Sequence, residues 1–256
     1  ITGGPALGVV KCRAVRQSFR KAVEHYDAIV IGGGVIGTSI ACHLARLGAK
    51  RTLLLERGRL GGGTTAQSSC ILRTHYSVRE NVVLAQAAMR AFDDFAGYLG
   101  DAEADCGYRR CGYLIVAPEG SAADAVRASL AMERELGIEA RELGPEEARE
   151  RHPLLRYDDV AVVGWEPGAG YADAYLTLSA YVRAARRAGA TVREGVAATG
   201  LLRDAKGHVV GVETPQGGVG AGVVVSAQNI WSREVARWAG VALPLAMSRH
   251  SVMTLE

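Results

Sequence analysis

Four glycines stand within six positions of the segment DAIVIGGGVIGTS, residues 27–39. Three of them, Gly32, Gly34 and Gly37, have the spacing G-x-G-x-x-G. In that pattern the first glycine permits a tight turn, the second lets a pyrophosphate approach the backbone, and the third lets a helix pack closely on a strand. Glu56 follows at the distance where a carboxylate can accept a hydrogen bond from a ribose 2′-hydroxyl. These residues predict a dinucleotide site.

A strand must precede these glycines and a helix must follow them. The β-branched run at 27–31 predicts a buried parallel strand, and RTLLLE at 51–56 predicts a second one. Between them, apolar residues recur with helical spacing from Val35 to Gly48. The helix would present its N-terminal N–H groups and positive dipole end to phosphate. The residues expected on its buried face are Ile36, Ile40, Leu44 and Leu47.

The later elements are predicted from the same kinds of pattern. A single helix is expected over 77–99, because its apolar residues keep helical spacing. Asp173 is expected to cap the helix that follows it, and residues 205–207 to form the turn of a hairpin. A buried strand is expected over 221–227, followed by a helix capped by Ser232.

The composition of the chain excludes several classes of protein. The 256 residues, 48% of them hydrophobic, are enough for one large domain or two intertwined ones. Lys+Arg 30 against Asp+Glu 27 leaves a net charge of +3, without a basic run that would bind nucleic acid. No apolar run reaches the roughly 18 residues of a membrane span. The five cysteines have no metal-ligand spacing. We therefore expect a cytoplasmic protein with reduced thiols, no metal and no nucleic-acid partner.

A second glycine cluster follows the second strand, in RGRLGGGTTAQSSCILRTHYS at residues 57–77. Its mixture of hydroxyl, apolar, Arg, His and Tyr side chains is unusual for a solvated linker. Together with IVIGGGVIGTSIACHLARLGA, LLLER, GWEPGAGYADAYLTLSAYVRAARRAGA and VVVSAQNIWSREVARWAGVALPL, it resembles the FAD-dependent oxidoreductases of the D-amino-acid oxidase superfamily. Sarcosine oxidase and glycine oxidase are the members that the motifs are most similar to, and the resemblance covers residues 26–256.

The resemblance implies an α/β fold with two intertwined domains. Residues 26–90 and 168–240 would form a Rossmann-type, glutathione-reductase-like FAD-binding domain. Residues 91–167 and 241–256 would belong to an α+β substrate or cap domain. Members of this superfamily run well past 256 residues, so we expect a C-terminally truncated fragment with an incomplete cap domain. Residues 1–25 are expected to form a basic, disordered leader.

The resemblance also assigns residues to the cofactor FAD. Backbone N–H groups and hydroxyls at Thr64 and Thr65 suit phosphate, and Val196 is expected to contact the adenine end through its backbone. The sequence departs from the superfamily after the 221–227 strand, where Gln228 or Asn229 stands in place of an expected glycine. The full set of expected FAD-binding residues is Gly32, Gly34, Val35, Ile36, Gly37, Glu56, Arg57, Gly63, Thr64, Thr65, Gln67, Ser69 and Val196.

Three residues of the second glycine-rich segment are the catalytic candidates. Arg73 matches the superfamily arginine that binds the substrate carboxylate beside the flavin. A guanidinium can hold a carboxylate through two charge-assisted hydrogen bonds and so orient the substrate. The alternative for Arg73 is a structural ion pair. His75 and Tyr76 are expected near the same pocket, where either catalysis or core packing would explain them.

These features combine into one expected function with two alternatives. The resemblance implies an FAD-dependent amine or amino-acid oxidase or dehydrogenase. It would oxidise the C–N bond of an amino acid or N-methyl amine, such as sarcosine or glycine, by hydride transfer to flavin. Oxygen or another acceptor would take the electrons, and a partner subunit is compatible with this reading. One alternative is a flavin dehydrogenase of a hydroxy acid or glycerol phosphate. The other is a non-catalytic FAD-binding subunit or fragment.

Overall fold

A computed structural model describes residues 24–248 of the chain. The expected leader and the end of the chain therefore lie almost entirely outside the described residues. Within them the chain forms two compact units. The first unit contains residues 24–60 and 185–247, and the second contains residues 61–184 and Ser248. The expected assignment of segments to an FAD-binding and a cap domain remains a prediction.

Strands and helices alternate along both units. The strands are β1 (His25–Ile31), β2 (Thr52–Leu55), β3 (Ile71–Leu72), β4 (Arg109–Arg110), β5 (Tyr113–Ala117), β6 (Arg141–Glu142), β7 (Val162–Glu166), β8 (Gly170–Tyr171), β9 (Thr191–Arg193), β10 (Gly200–Arg203), β11 (Val209–Thr214) and β12 (Gly217–Ser226). The α-helices are α1 (Val35–Arg46), α2 (Arg79–Asp93), α3 (Phe95–Leu99), α4 (Ser121–Glu135), α5 (Pro145–Arg151), α6 (Ala174–Arg187) and α7 (Ser232–Trp238). Two 3₁₀ turns cover Thr64–Gln67 and Asn229–Trp231.

The first unit is built on a six-stranded sheet with the order β10-β11-β12-β1-β2-β9. The strands β12, β1, β2 and β9 run parallel, whereas β10 and β11 form an antiparallel hairpin that continues into β12. The central strands β1 and β2 are nearly continuous apolar runs, and Ile29, Val30 and Leu53–Leu55 have almost no exposed surface. This is the pattern of a parallel sheet covered on both faces. The predicted βαβ unit and hairpin are confirmed.

Helix α1 buries only part of the predicted face, since Ile40 and Leu44 are partly buried and pack against the core. Ile36 is 64% exposed and Leu47 is 85% exposed, so placing them on the buried face was wrong. The buried residues are small ones, Gly37, Thr38, Ala41, Cys42 and Ala45. The reason is the close approach of the helix to the glycine turn, because a Cβ on Gly37 would lie only 1.8 Å from the Gly32 carbonyl oxygen. At that separation, only small side chains fit where the helix lies closest to the turn.

Two details near the end of the first unit also differ from the prediction. The strand expected over 221–227 is present as the second half of β12, but it is buried only in part: Ala221 is buried and Val224 and Val225 are partly buried, whereas Val223 is 56% exposed. Helix α7 begins at Ser232 itself, with Trp231 at the cap position and no side-chain capping hydrogen bond. The predicted Ser232 cap was therefore wrong.

The second unit contains two small antiparallel sheets, with the strand orders β3-β8-β4 and β5-β7-β6. Helix α4 packs on β5 and β7, with Leu130 almost fully buried. Asp173 caps α6, since its Oδ1 accepts hydrogen bonds from the N–H groups of Tyr175 and Leu176, each at 2.8 Å. The predicted cap is confirmed.

The helix predicted over 77–99 is two helices. Asp94, with φ −133° and ψ 67°, interrupts the helical backbone between α2 and α3. Its carboxylate accepts a hydrogen bond from the Gly97 N–H at 3.0 Å and so caps the second helix. An Asp that bonds to a nearby N–H offers the chain a cap in place of a continuous helix. Apolar spacing alone did not reveal this break.

Across the described part of the chain, no helix has the length and apolar character needed to cross a bilayer.

Candidate functional site

The glycine turn between β1 and α1 is crowded at Gly32 and at Gly33. Gly32 has φ +112°, and a Cβ on it would lie 2.6 Å from the Ala227 carbonyl oxygen. Gly33 is also crowded, with Leu60 and Glu56 side-chain atoms at 2.6 and 2.7 Å from a built Cβ. Gly34 is the cap residue of α1. The turn therefore requires glycine for reasons of conformation and close packing.

The start of helix α1 has the chemistry of an anion site. Val35 and Ile36 are the first helical residues, and the first turn contains no acidic side chain. The initial N–H groups of a helix lack intrahelical acceptors, and the dipole adds partial positive charge at the same end. Phosphate is the ligand that this combination favours.

Glu56 binds the backbone on both sides of the turn. Its Oε2 accepts a hydrogen bond from the Gly33 N–H at 2.7 Å, and its Oε1 accepts one from the Gly58 N–H at 2.8 Å. Each carboxylate oxygen has a further acceptor position, so a ribose hydroxyl can still donate to it. The Val196 N–H donates to the Glu56 carbonyl at 2.9 Å, so an adenine contact through the Val196 backbone would use its carbonyl oxygen. The sequence did not reveal that the Glu56 carboxylate also binds backbone N–H groups of the protein.

Arg57 lies over the ring of Trp231, with 4.8 Å from the guanidinium carbon to the ring centroid. Such a cation–π contact holds an exposed arginine in one place. Arg57 was expected to bind FAD, and Trp231 belongs to the segment that follows β12. The contact brings these two parts of the first unit together.

Asn229, one of the two residues standing in place of the expected glycine, has an unusual backbone conformation. Its φ is +48°, in the left-handed region, where Asn is among the non-glycine residues best tolerated. The neighbouring Gln228 has its Oε1 buried and without a hydrogen-bond partner in the described structure. Its backbone N lies 3.5 Å from where a Cβ on Gly32 would stand. A buried acceptor left unsatisfied beside the glycine turn fits a missing ligand with a donor group, and FAD has hydroxyl groups that could donate to it.

Residues 61–77 of the second glycine-rich segment lie in the second compact unit. The 3₁₀ turn Thr64–Gln67 begins directly after Gly63. Thr65 is buried, whereas Gln67 and Ser69 are exposed. Cys70 has φ +53°, a conformation that L side chains rarely adopt. The predicted FAD contacts of Gly63, Thr64, Thr65, Gln67 and Ser69 remain predictions.

Arg73 lies between two tyrosine rings. Its guanidinium carbon is 5.1 Å from the Tyr76 ring centroid and 4.9 Å from that of Tyr113, and its Nη1 donates a hydrogen bond to the Tyr113 hydroxyl at 2.9 Å. Among residues 24–248 no carboxylate forms an ion pair with Arg73. The guanidinium therefore keeps donors for a carboxylate from elsewhere. Sequence reasoning missed Tyr113, which read only as part of a strand.

Two buried carboxylates hold the residues that follow Arg73. Glu166 accepts hydrogen bonds from the Thr74 N–H at 2.7 Å, the Thr74 hydroxyl at 2.5 Å and the His75 N–H at 3.2 Å. Glu133 lies with Oε1 2.6 Å from His75 Nδ1, although the two groups are not aligned as a hydrogen bond. Acids are rarely fully buried, and the signal in the sequence for Glu166 was an acid at the end of an otherwise apolar strand. Tyr76, the third catalytic candidate, is partly exposed.

The chain matches the family model described as FAD dependent oxidoreductase over residues 27–256. The chain therefore belongs to this family of FAD-dependent oxidoreductases, in agreement with the resemblance seen in its motifs. The α/β fold with its parallel sheet is the fold of the family's solved structures, which confirms the predicted fold class.

The chain is similar to several known proteins, of which three are described here. The 4-methylaminobutanoate oxidase (formaldehyde-forming) of Paenarthrobacter nicotinovorans is 31% identical over 226 residues, which cover 88% of this chain and 27% of that protein. Mitochondrial sarcosine dehydrogenase of Homo sapiens is 31% identical over 238 residues, which cover 90% of this chain and 25% of that protein. The crystal structure of L-proline dehydrogenase from P.horikoshii has a TM-score of 0.77 and 26% identity, and covers 86% of this chain and 57% of that one. The chain thus spans about a quarter of the length of each of the two curated relatives.

Proposed function

We propose that this chain binds FAD and provides the carboxylate-binding side of a site that oxidises the C–N bond of a secondary amino acid. The observation that carries the proposal is Arg73, a guanidinium held by Tyr113 and Tyr76 without a carboxylate partner in the described structure. A guanidinium held in one orientation presents positively charged N–H donors whose geometry matches a substrate carboxylate.

The FAD part of the proposal rests on the glycine turn and its neighbours. Gly32 and Gly37 would hold the turn and helix in place, Gly34 would admit the pyrophosphate, and Glu56 would accept a hydrogen bond from the adenosine ribose. The unsatisfied Gln228 Oε1 marks the same turn as a place for a polar ligand. When bound, FAD supplies a flavin ring that accepts a hydride from the carbon beside the substrate nitrogen.

The substrate class is inferred from charge and from the relatives together. Sarcosine, 4-methylaminobutanoate and L-proline, which appear in the names of the relatives, all carry a secondary amine and a carboxylate. Arg73 would bind the carboxylate and leave the amine end to face the flavin. Fixing one end of a small substrate in this way turns a random encounter into an oriented one.

The remaining parts of the proposal concern the surroundings of the enzyme. We propose oxygen or another acceptor for the electrons, and we propose a partner subunit because sarcosine oxidase subunit beta of Arthrobacter sp is among the relatives. A cytoplasmic location is proposed from the four free cysteines of the described residues. Five of the relatives are mitochondrial, so fractionation of the source cells would test this point.

The test is an anaerobic absorbance titration of the FAD-loaded protein with sarcosine, glycine, L-proline and the carboxylate-free dimethylamine. Bleaching of the flavin bands by an amino acid is the expected result. Arg73→Ala should weaken amino-acid binding about 10- to 100-fold, the worth of charge-assisted hydrogen bonds, with FAD still bound. Arg156→Ala, which removes a highly exposed arginine, is the matched control.

Each contrary outcome points to a different alternative. Bleaching by a hydroxy acid or glycerol phosphate but by no amine would favour the other class of flavin dehydrogenase. Bound FAD that none of these compounds reduces would favour a non-catalytic FAD-binding subunit. Equal losses for sarcosine and dimethylamine in Arg73→Ala would contradict the carboxylate role of this residue.

A further inference from the structure

Glu166 is a charged residue in a place where an apolar one would be expected. It is the last residue of β7, it is 2% exposed, and the other four residues of this strand are also buried. Removing a carboxylate from water is costly unless donors replace the water. Here three donors do so, and all three come from the adjacent residues Thr74 and His75.

The strand that pairs with Glu166 holds the side chain of Arg73. In the antiparallel pair of β5 and β7, Tyr113 lies directly opposite Glu166. Residues opposite each other in such a pair project from the same face of the sheet. Glu166 binds the backbone that follows Arg73, and the Tyr113 hydroxyl accepts from Arg73 Nη1 at 2.9 Å. One cross-strand pair therefore holds both the backbone and the guanidinium of this short segment.

Stability alone does not account for a carboxylate at this position. A well-packed apolar residue commonly gives a protein as much stability as a buried charged group or more. An apolar residue could not, however, accept hydrogen bonds from two consecutive N–H groups and a hydroxyl. What Glu166 provides is therefore a fixed path for the backbone at 74–75, and hence a fixed origin for the Arg73 side chain.

We propose that Glu166 and Tyr113 form a positioning pair that sets Arg73 in the orientation for binding a substrate carboxylate. This inference rests on the carboxylate role of Arg73 in the proposed function. Neither residue of the pair needs to touch the substrate for it to act. The pair makes the guanidinium preorganised, so that little conformational entropy is lost when a carboxylate binds.

The experiment uses the FAD-loaded protein and two matched probes, sarcosine with a carboxylate and dimethylamine without one. The apparent dissociation constant of each probe is measured from anaerobic flavin bleaching for Glu166→Gln and Tyr113→Phe. Thr74→Val removes only the hydroxyl that donates to Glu166, and Thr74→Ser restores it. Glu142→Gln, an exposed acid on the neighbouring strand β6, is the control for loss of a charge.

The expected result is a loss that depends on the carboxylate. Glu166→Gln and Tyr113→Phe should raise the apparent dissociation constant for sarcosine about tenfold. The constant for dimethylamine and the FAD content should stay unchanged. Thr74→Val should show a smaller loss of the same kind, with recovery in Thr74→Ser. Amide hydrogen exchange provides a readout that does not need activity, because the N–H groups of 74 and 75 should exchange about tenfold faster in Glu166→Gln.

Two kinds of failure can be told apart. If the wild-type protein is bleached by sarcosine but the variants lose affinity for both probes equally, or for neither, the positioning pair is refuted. If no amine or amino acid bleaches the wild-type protein, the proposed function fails, and unchanged exchange at 74 and 75 would refute the backbone role of Glu166 separately. Should Glu166→Gln not fold, Thr74→Val and Tyr113→Phe decide the question.

Discussion

Gly37→Ala adds one methyl group at the point where α1 comes closest to the glycine turn. The new Cβ would lie 1.8 Å from the Gly32 carbonyl oxygen and 3.4 Å from the Ala227 side chain. The oxygen belongs to a residue with φ +112° whose N–H is bonded to the Leu55 carbonyl at 2.9 Å. The obstacle is thus fixed backbone, and it cannot rotate away as a side chain would.

The magnitude follows from two opposing terms. Alanine improves helix propensity by at most about 1 kcal/mol. Overpacking costs about 1–3 kcal/mol, and this site belongs at the upper end because two backbone segments must separate. We expect a net loss of about 2 kcal/mol in the free energy of unfolding, or a shift of about 1 M in the urea midpoint. FAD binding should fall as well, because the same movement displaces α1 from the turn.

The assay is urea unfolding of wild type, Gly37→Ala and the control Gly58→Ala, with FAD affinity measured for each by fluorescence. A Cβ on Gly58 would meet its nearest atom, Glu56 Oε1, at an ordinary 3.7 Å. The control should therefore change stability by less than about 0.5 kcal/mol. If Gly37→Ala were as stable as the wild-type protein and bound FAD equally well, the reasoning would be refuted, because the turn would then tolerate a side chain.

Two further predictions concern charged groups. His75→Phe should lower the free energy of unfolding by about 1–3 kcal/mol because Glu133 then lies buried without the imidazole nitrogen 2.6 Å from its Oε1, and adding Glu133→Leu should recover part of the loss in the same urea assay. Arg141 and then Arg151 lower the pKa of Glu147 from 4.5 to about 2, so its stabilising effect is complete above pH 4.5 and disappears as the pH falls through about 2. Thermal unfolding between these values should therefore show a steeper decline for wild type than for Glu147→Gln, and parallel curves would contradict the ion pairs with Arg141 and Arg151.

The parts of the fold that could be predicted are those specified by neighbouring residues. The β-branched run of β1, the glycine turn and the helix start at Val35 all have local causes, and each was found where expected. The buried face of α1 was predicted correctly at Ile40 and Leu44 but not at Ile36, because next to the turn the packing is set by the close approach of Gly37 to Gly32.

In the candidate site, too, some residues could be predicted from the local sequence and others could not. Arg73 could be proposed from its motif, but Tyr113 and Glu166 could not, because their relation to it depends on the pairing of β5 with β7. Strand register between distant segments follows from the whole hydrophobic pattern and from neighbouring strands. A single sequence gives no local sign that these two residues will lie opposite each other.

The sheet of the first unit also has a consequence for synthesis on the ribosome. Its strands β1 and β2 are made early, but their neighbours β12 and β9 come only after the whole of residues 61–184. At about 5–20 residues per second the early strands wait on the order of ten seconds for partners. During that time two apolar strands have unpaired edges, which favour association with other chains. The contiguous second unit can fold first, so nascent chains interrupted before β9 should be the ones that chaperones retain.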